Sequence, residues 1–386
     1  MEHMITSPFL TKAHEVLRAR VRAFAENEIR PLAAELDEKE EFSIELTKKM
    51  GKEGFFGIQA PTEYGGQALD TLSYIIIVEE LARVDSSQAA TVAAVNSLGI
   101  SPLLKYGTEE QKRKFIPPLC TGETVWAFGL TEDNAGSDAM GSETRAELLD
   151  GQWVINGSKS HITNATSEIA GGVTLQAVTA VVDGRKRLST ILVEKGTPGF
   201  TTERMLGKHM WRASDTGKLF FNNCRVPASN LLGEQGQGGR IMLNTLDAGR
   251  LSIAAIGLGL SRGAFEAALA HAKKREQFGQ PISKFQAVAF KLADMDLKIE
   301  LARNTLYNAC WRKDNNLQFA REAAMAKLYS SEIAREVADE AVQILGARGL
   351  FKPNEVERFY RDQRLLQIGE GTSEILRMVI SRYLGA

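Results

Sequence analysis

The pattern of hydrophobic and polar positions divides the chain into three zones. In the first zone, from about Thr11 to Gly107, apolar residues recur at the three- and four-residue steps of a helix. Pro31 interrupts the earliest helical run, which consists of Val16, Leu17, Val21, Phe24 and Ile29. Two later segments, 72–81 and 89–98, predict further buried helices.

The second zone, from Thr121 to Gly233, has the texture of β-structure. Residues 147–163 predict a strand, a turn at Asp150-Gly151 and a second strand. Segments 173–182, 188–193 and 217–226 predict further strands between glycine and aspartate turns. This zone therefore predicts a small antiparallel β domain.

The third zone begins near Gln235 and is helical again. One run has the spacing of a long packed helix and contains Phe285, Val288, Leu292, Met295, Ile299, Ala302 and Leu306. Together the zones predict an α+β fold. We expect an N-terminal helical domain at 1–120, a middle antiparallel β domain at 121–233 and a C-terminal helical bundle at 234–386.

Composition excludes several classes of function. The 47 Lys and Arg residues balance 48 Asp and Glu residues, so no nucleic-acid partner is expected. No apolar run reaches the ~20 residues of a membrane span, and the start of the chain lacks the pattern of a secretion signal. The three cysteines, Cys120, Cys224 and Cys310, are widely separated, which suits a reducing compartment. We expect a cytoplasmic protein.

Familiar cofactor motifs are absent from the sequence. The nearest match to a dinucleotide fingerprint, GLGLSRG at 257–263, has one residue too many and lies in an apolar helical run. Its small residues are better explained by close helix packing. Neither a Walker loop nor the His-Glu-x-x-His and Cys-x-x-Cys motifs occur, so no metal site is predicted.

Three segments carry candidate chemistry. Segment 127–138 is a short strand followed by small and polar residues, which either hold a ligand or form a surface turn. In segment 156–164, Thr163 and Asn164 are possible donors, although such residues also serve turns. In segment 368–375, Thr372 is a reasonable helix N-cap. Glu370 stands between two glycines in the same segment, as suits a general base that a ligand can approach.

Five segments in order resemble the acyl-CoA dehydrogenase family. They are FGLTEDNAGSD, NGSKSHITN, REQFGQPI with FQ two residues later, QILGARG and IGEGTSEI. The resemblance extends from PTEYGG at Pro61 to the C-terminus, and it is strongest to the short-chain, butyryl-type branch. It implies a C-terminal four-helix bundle with a catalytic loop, a homotetramer, FAD as cofactor and acyl-CoA as substrate. It also implies an electron-transfer flavoprotein as partner.

The resemblance also assigns roles by position, with Glu370 as the catalytic base. The residues that match flavin contacts are Phe128, Leu130, Thr131, Gly136, Ser137, His161, Ile162, Thr163, Thr372 and Glu374. Those that match contacts to the adenosine and pyrophosphate, partly across a subunit boundary, are Arg275, Phe278, Gln286, Gln343, Ile344 and Gly346. Those that match acyl-CoA contacts are Ser137, Asp247, Arg250 and Gly371.

The chemistry implied by the resemblance is α,β-dehydrogenation. Glu370 would take the weakly acidic α-proton while the β-hydrogen leaves as hydride to the flavin. The family stabilises the enolate with the backbone N–H of the base and a ribityl hydroxyl of the flavin. Some relatives place the base on the helix containing Leu246–Arg250; here the matching residue is Gly249, which strengthens the assignment to Glu370. His161 replaces the tryptophan usual in this family, which leaves the electron acceptor open.

The acyl group is predicted from the pocket walls. Gly369 replaces the tyrosine common in straight-chain relatives, although the loop could instead need its backbone freedom. Ala89 stands where glutaryl-CoA relatives use an arginine, which disfavours a dicarboxylic substrate. A short branched or cyclic group such as cyclohexane-carboxyl is predicted, with Thr91 as a polar contact; a plain short-chain substrate remains open. The alternative functions are an acyl-CoA oxidase and a non-catalytic flavin or acyl-CoA binding protein.

Overall fold

The computed structural model describes residues 7–385, so the outer ends of the predicted first and last domains lie outside it. Its first part is helical, as predicted. The helices are α1 (Lys12–Phe24), α2 (Arg30–Lys39), α3 (Ile44–Lys52), α4 (Thr71–Ala82), α5 (Ser86–Ala94), α6 (Ser101–Tyr106) and α7 (Glu109–Cys120). Helices α4 and α5 are buried along their whole length, and α5 continues as a π-helix, Val95–Ile100. Both predicted buried helices are therefore confirmed.

The first helical run differs from its prediction at Pro31. A π-helical turn, Ala25–Ile29, joins α1 to α2, so the chain stays helical through the proline. A proline ring crowds the carbonyl four residues earlier in an α-helix, and the wider turn relieves that crowding. Val16 also differs, because it is 64% exposed, whereas Val21 and Ile29 are buried.

The middle part is a β domain with one eight-stranded sheet. Its strands are β1 (Val125–Gly129), β2 (Arg145–Leu149), β3 (Gln152–Thr163), β4 (Ala170–Val182), β5 (Arg185–Glu194), β6 (Phe200–Arg204), β7 (Thr216–Pro227) and β8 (Leu231–Leu232). The order is β6-β7-β3-β2-β4-β5-β8, with β1 beside β4. The hairpin predicted at Asp150-Gly151 joins β2 to β3.

The sequence predicts a purely antiparallel sheet, but the sheet also contains parallel pairs. Strand β1 pairs parallel with β4, and β2 meets β4 in parallel at Arg145 and Val178. A parallel pair needs a long crossover, and the loop and hairpin between β1 and β4 supply one. This crossover places the loop that follows β1 at the edge of the domain nearest the C-terminal helices.

The last part is a helical bundle with a short two-stranded ribbon. Its elements are α8 (Gly238–Lys274), β9 (Glu276–Gln277), β10 (Gln280–Pro281), α9 (Gln286–Asp314), α10 (Ala320–Leu345), α11 (Glu355–Asp362) and α12 (Ser373–Leu384). Helix α9 confirms the long helix predicted from its spacing. Helices α8, α9, α10 and α12 are the four main helices of the bundle, and α10 packs against the other three.

The glycines of α8 permit close helix packing, as interpreted from the sequence. A Cβ atom on Gly257 would lie 2.9 Å from the Ser330 carbonyl oxygen of α10. One on Gly259 would lie 2.2 Å from the Glu79 carbonyl oxygen of α4. Larger residues would therefore push α8 away from both neighbours.

Helix α8 is more apolar than expected from the sequence. By length and composition it is able to cross a membrane, with a mean hydropathy of 1.3 in its most apolar window, of which 72% is buried inside the protein. The core that surrounds α8 therefore accounts for its apolar character.

A buried ionic cluster joins the two helical parts of the molecule. Glu79 and Glu80 of α4 are fully buried, and Nη1 of Arg262 in α8 lies 2.7 and 2.6 Å from their carboxylates. Glu79 also accepts a hydrogen bond from the Tyr307 hydroxyl at 2.5 Å. Burial acts to raise the pKa of Glu79, but the charges of the surrounding arginines, Arg18 among them, lower it to about 2.

Candidate active site

A cavity of about 720 Å³ lies where the β domain meets the C-terminal helices. Four parts of the chain form its walls: the ends of β1 and β3 with their loops, the segment 205–216, α8 with the loop before α12, and Ala94 and Leu98 of the N-terminal helices. Its size is within the range of ligand sites, roughly 300–1,000 Å³. The glycine and polar residues of the lining are Thr131, Gly136, Ser137, His161, Thr163, Gly207, Lys208, Ser214, Thr216, Arg250, Gly369, Glu370, Gly371 and Thr372.

Glu370 lies in the loop between a 3₁₀ helix, Gln363–Gln367, and α12. Its φ is 53°, and Gly371 follows with a φ of 96°. The left-handed region is unfavourable for a residue with a side chain, so surrounding contacts must hold Glu370 there. Thr372 accepts a hydrogen bond from the Ile375 N–H at 3.3 Å as the N-cap of α12. The structural interpretation of Thr372 is confirmed, and the residue also lines the cavity.

Within the described chain, hydrogen bonds do not offset the burial of the Glu370 carboxylate. Its Oε2 atom is buried and has no hydrogen-bond partner in the described part of the chain. Burial raises the pKa of Glu370 to about 7, although the charges of Lys327 and Arg250 act to lower it. A carboxylate with a raised pKa and no hydrogen-bond donor is a suitable proton acceptor near neutral pH.

Gly249 of α8 lies directly beside this carboxylate. A Cβ atom at Gly249 would be 2.1 Å from Oε2 of Glu370, so the glycine makes room for the carboxylate. The next residue, Arg250, pairs with Asp247 at 2.5 Å. Burial raises the pKa of Asp247, against the opposing charge of Arg250. At this point of the cavity, the candidate base is therefore carried by the loop and not by α8.

A buried ion pair supports the loop that follows β1. Lys159 Nζ lies 2.8 Å from Oε1 of Glu132 and donates to the Leu130 carbonyl at 3.1 Å. Glu132 in turn accepts from the backbone N–H groups of Glu143 and Thr144 at 2.8 and 3.1 Å. Burial lowers the pKa of Lys159 to about 8, against the charge of Glu132. The pair ties together both ends of the loop that forms this wall of the cavity.

The end of β3 contributes His161, Ile162 and Thr163 to the lining. His161 is exposed and has a φ of 60°. Asn164, the other possible donor in this segment, is fully buried outside the lining. Its side-chain amide has no partner among residues 7–385. Thr163, and not Asn164, therefore lines the cavity.

Thirteen of the predicted site residues meet around the cavity: Phe128, Leu130, Thr131, Gly136, Ser137, His161, Ile162, Thr163, Arg250, Gly369, Glu370, Gly371 and Thr372. Asp247 is connected to them through Arg250. Glu374 is exposed in the first turn of α12. The predicted adenosine and pyrophosphate residues lie outside this cavity: Arg275, Phe278, Gln286, Gln343 and Gly346 are exposed, whereas Ile344 is buried.

Thr91 does not line the cavity, which corrects its prediction as a substrate contact. Its side chain is fully buried, and its hydroxyl donates to the Ser87 carbonyl at 3.3 Å within α5. Rotation of α5 turns Thr91 into the protein core. Ala94 and Leu98, further along the same segment, reach the lining instead.

Several lining residues escaped the sequence analysis. Segment 205–211 forms part of one wall. Within it, Lys208 donates to the Ser214 carbonyl and hydroxyl, the latter at 3.0 Å, and burial lowers its pKa to about 8. Trp211 is 6% exposed, and its backbone N–H donates to Asp362 at 2.7 Å. No local motif marks this segment, and the contact that fixes Trp211 comes from Asp362, a distant part of the chain.

The lining fits the flavin that the resemblance implies. Thr131, Ser137 and Thr163, which carry hydroxyl groups, line one wall. A Cβ at Gly136 would meet no atom within 4 Å, so a ligand is able to approach this backbone closely. The α8 wall is largely apolar and includes Leu246 and Ile253. An aromatic ring system with a polar edge needs this combination of apolar surface and a few donors.

Comparison with known proteins agrees with this site. Three family models match: the N-terminal, middle and C-terminal domains of acyl-CoA dehydrogenase, over residues 11–123, 127–224 and 236–385. A probable acyl-CoA dehydrogenase of Bacillus subtilis is 47% identical over 97% of this chain and 98% of its own. A short-chain specific acyl-CoA dehydrogenase of Clostridium acetobutylicum is 45% identical over 96% of this chain and 98% of its own.

Solved structures give the same result. The structure of butyryl-CoA dehydrogenase from Megasphaera elsdenii is 40% identical, covers 98% of this chain and 99% of its own, and has a TM-score of 0.94. The predicted arrangement of a helical, a β and a second helical domain is thereby confirmed. The cofactor of this family is FAD. The chain belongs to the acyl-CoA dehydrogenase family and is an FAD-dependent oxidoreductase.

Proposed function

We propose that this acyl-CoA dehydrogenase uses Glu370 as the base that removes the α-proton of a short branched or cyclic acyl-CoA. The observation that carries the assignment is the carboxylate itself. It lines the cavity, its Oε2 is buried without a hydrogen-bond partner, and burial raises its pKa to about 7. A base with this pKa is ionised in a large fraction of molecules at neutral pH and is still basic enough to take a proton.

The roles of the surrounding residues follow from their positions. Bound FAD supplies the acceptor for the β-hydrogen and its electron pair. Glu370 takes the α-proton, and its backbone N–H stabilises the charge that develops on the thioester oxygen. The apolar walls keep water away from the carboxylate and so preserve its basicity. Arg250, held by Asp247, contacts the acyl-CoA on the α8 side.

The base is tested with Glu370→Gln holoenzyme under anaerobic conditions. Addition of acyl-CoA should bleach the yellow flavin of the unmodified enzyme and leave that of the variant nearly unchanged. Both the unmodified enzyme and the variant should still bind acyl-CoA, which is measured by the change that binding causes in the flavin spectrum. Near-normal bleaching by Glu370→Gln would reject the assignment. Fast recolouring of the unmodified enzyme in air would indicate an oxidase in place of a dehydrogenase.

The predicted acyl group rests on the space beside Gly369. The nearest atoms to a Cβ built at Gly369 belong to Leu365, at 3.6 Å, so the lining has room beside the catalytic residue. Ala94 and Leu98 add small and apolar surface on the N-terminal side. A branched or ring-bearing acyl group, such as cyclohexane-carboxyl, would fill this space.

The charges of the cavity disfavour a dicarboxylic substrate. Among the described residues, Lys208 and Arg250 are the lysine and arginine in the lining. Lys208 donates to Ser214 and Thr216, and Arg250 pairs with Asp247. A second carboxylate in the acyl pocket would compete for cations that already have partners, and its burial would be costly.

Substitution of Gly369 tests the substrate. Gly369→Tyr should lower turnover of cyclohexane-carboxyl-CoA by roughly tenfold or more relative to butyryl-CoA, because the ring fills the space for the bulky acyl group. Gly369→Ala is the matched control, since its Cβ meets only ordinary contacts. If the unmodified enzyme oxidises butyryl-CoA and not the bulky thioesters, a plain short-chain substrate replaces this proposal.

We also propose a homotetramer in which FAD contacts two subunits. Phe278 is 95% exposed, and α9 exposes Phe290, Leu297 and Leu301 along one side. Apolar surface of this kind is typical of an interface between subunits. A cofactor held across an interface favours assembly by mass action. Sedimentation should therefore show weaker association after removal of FAD, and equal association with and without FAD would contradict the proposal.

The proposed electron acceptor is an electron-transfer flavoprotein. His161, which replaces the usual tryptophan of the family, is exposed at the cavity wall, where it leaves the cofactor site accessible to a partner. Reduced holoenzyme should be reoxidised much faster by an electron-transfer flavoprotein than by air. His161→Trp should alter the rate of that reoxidation and leave anaerobic bleaching by acyl-CoA largely unchanged. Reoxidation by oxygen alone would point to an oxidase.

A further inference from the structure

Helix α10 holds the loop that carries Glu370. The Ser331 hydroxyl donates to the Leu366 carbonyl at 2.9 Å, and Gln367 donates back to the Ser331 carbonyl at 3.2 Å. One turn earlier on the same helix, Lys327 Nζ donates to the Gly371 carbonyl at 2.7 Å. The loop is thus fixed on both sides of its left-handed residues.

Lys327 is an unusual residue to find at this position. Its side chain is fully buried, and within residues 7–385 no carboxylate lies within salt-bridge distance of its ammonium group. A buried ammonium without a close anion destabilises a protein. Burial lowers the pKa of Lys327 to about 8, while the charge of Glu370 opposes that effect. Fold stability alone does not explain a lysine here.

We propose that Lys327 is a positioning residue for the dehydrogenation: it fixes the Gly371 peptide behind Glu370 and keeps the buried carboxylate ionised. The proposal rests on the proposed role of Glu370 as the base. Glu370 has a φ of 53° and Gly371 one of 96°. The hydrogen bond from Lys327 to the Gly371 carbonyl restrains the peptide group directly after these two left-handed residues. The ammonium charge favours the carboxylate form, which is the form that accepts a proton.

Other charged groups near Lys327 and Glu370 determine how far the loss of Lys327 changes the pKa of Glu370. Arg250 of α8 also acts to lower the pKa of Glu370, after Lys327, but it is already paired with Asp247. Burial raises the pKa of Tyr74 in α4, and the charge of Glu370 acts in the same direction. Lys327 is influenced in addition by the carboxylates of Glu332 and Glu374. Removal of Lys327 should therefore raise the pKa of Glu370 further, with only Arg250 left to oppose burial.

The test is the pH profile of anaerobic flavin bleaching by acyl-CoA in the holoenzyme. Lys327→Met should move the midpoint, which is near pH 7 in the unmodified enzyme, toward higher pH by roughly one unit, with roughly a fivefold loss of rate at pH 7. Lys327→Arg retains the charge and should keep the midpoint near that of the unmodified enzyme. Ser331→Ala is the matched control, because it removes a contact between the same helix and loop without a change of charge. It should lower thermal stability and leave the midpoint in place.

A midpoint unchanged in Lys327→Met, with only a lower rate or stability, would show that Lys327 has a structural role and overturn the proposal. If Lys327→Met does not fold, Lys327→Gln carries the same test, since its amide retains a donor and lacks the charge. Failure of the underlying function would look different. In that case Glu370→Gln would still be reduced by acyl-CoA, whatever the Lys327 variants do.

Discussion

Two glutamates in this protein bury carboxylate oxygens in opposite environments. Glu79 joins the helical parts of the molecule, with Arg262 at 2.7 Å and the Tyr307 hydroxyl at 2.5 Å, and its pKa is lowered to about 2. Glu370 lines the cavity, its Oε2 atom has no hydrogen-bond partner among the described residues, and burial raises its pKa to about 7. The same side chain is therefore a fixed anion in one place and a proton acceptor in the other. The difference lies in how many close donors accompany the burial.

Removal of the carboxylate in the cavity should have the largest effect. Glu370→Gln is expected to lower turnover by roughly 10²–10⁴-fold, because an amide does not accept the α-proton. The variant should retain FAD and bind acyl-CoA, which equilibrium titration of the flavin spectrum would show. Loss of cofactor binding together with activity would mean that Glu370 is structural, like Glu79.

The corresponding change in the ionic cluster should affect stability and not chemistry. Glu79→Gln leaves Arg262 and its neighbours with one fewer anion, which should lower the free energy of unfolding by about 3–5 kcal/mol. Urea denaturation of the holoenzyme measures this difference. Glu35→Gln is the control, because its pair with Lys39 is exposed and should matter little. A stability of Glu79→Gln equal to that of the control would remove the contrast between the two sites.

Two glycines of α8 allow the sites of Glu370 and Glu79 to be compared within one helix, because one glycine lies beside each glutamate. Gly249→Ala places a Cβ 2.1 Å from the movable end of Glu370, so it should displace the carboxylate and reduce activity by roughly 10²-fold. Its stability should not fall, since alanine is favoured over glycine in a helix by about 1 kcal/mol. Gly259→Ala instead meets the Glu79 carbonyl at 2.2 Å and should destabilise the helix packing. Equal unfolding midpoints for the two variants would contradict this account.

The smallest expected effect is a gain of stability in Glu370→Gln. A carboxyl whose pKa is higher in the folded state destabilises the fold increasingly as the pH rises above its unfolded pKa of about 4.3, and the full cost is reached above its folded pKa, here about 7. The amide avoids this cost, so the melting temperature of the variant should exceed that of the unmodified protein at about pH 8, by roughly 2–4 °C per kcal/mol. The gap should narrow at about pH 5.5, where Glu370 is mostly protonated. A gap independent of pH would contradict the raised pKa.

Contiguous segments made much of this site predictable from the sequence. Glu370 and its glycines stand together in segment 368–375, and the loop after β1 occupies segment 127–138, so their composition marked them as candidates and the family resemblance assigned their roles. The resemblance also matched Gly249 to the position where some relatives carry the base, and a glycine cannot act as one. The confirmed order of helical, β and helical domains followed from a change in hydrophobic period, which depends on local spacing.

The remaining features depend on tertiary contacts. Lys327 stands 43 positions before Glu370 in a helix where a lysine normally indicates solvent, and only the docking of α10 on the loop brings it to Gly371. The prediction for Thr91 was wrong because the sequence does not give the rotation of α5 about its axis. The parallel pairing of β1 with β4 was missed because the sequence does not give the order of strands in the sheet. At Pro31, a π-helical turn replaced the expected break.

The most direct test of the central claim is the pH dependence of anaerobic flavin bleaching by acyl-CoA, measured from about pH 5.5 to about pH 9. If Glu370 is the base and burial sets its pKa, the rate should rise with pH and reach half its maximum near pH 7. Glu370→Asp, which keeps the carboxylate, should retain a sigmoidal profile at a lower rate. A rate independent of pH over this range, or a midpoint near the ordinary glutamate value of about 4.3, would contradict the account.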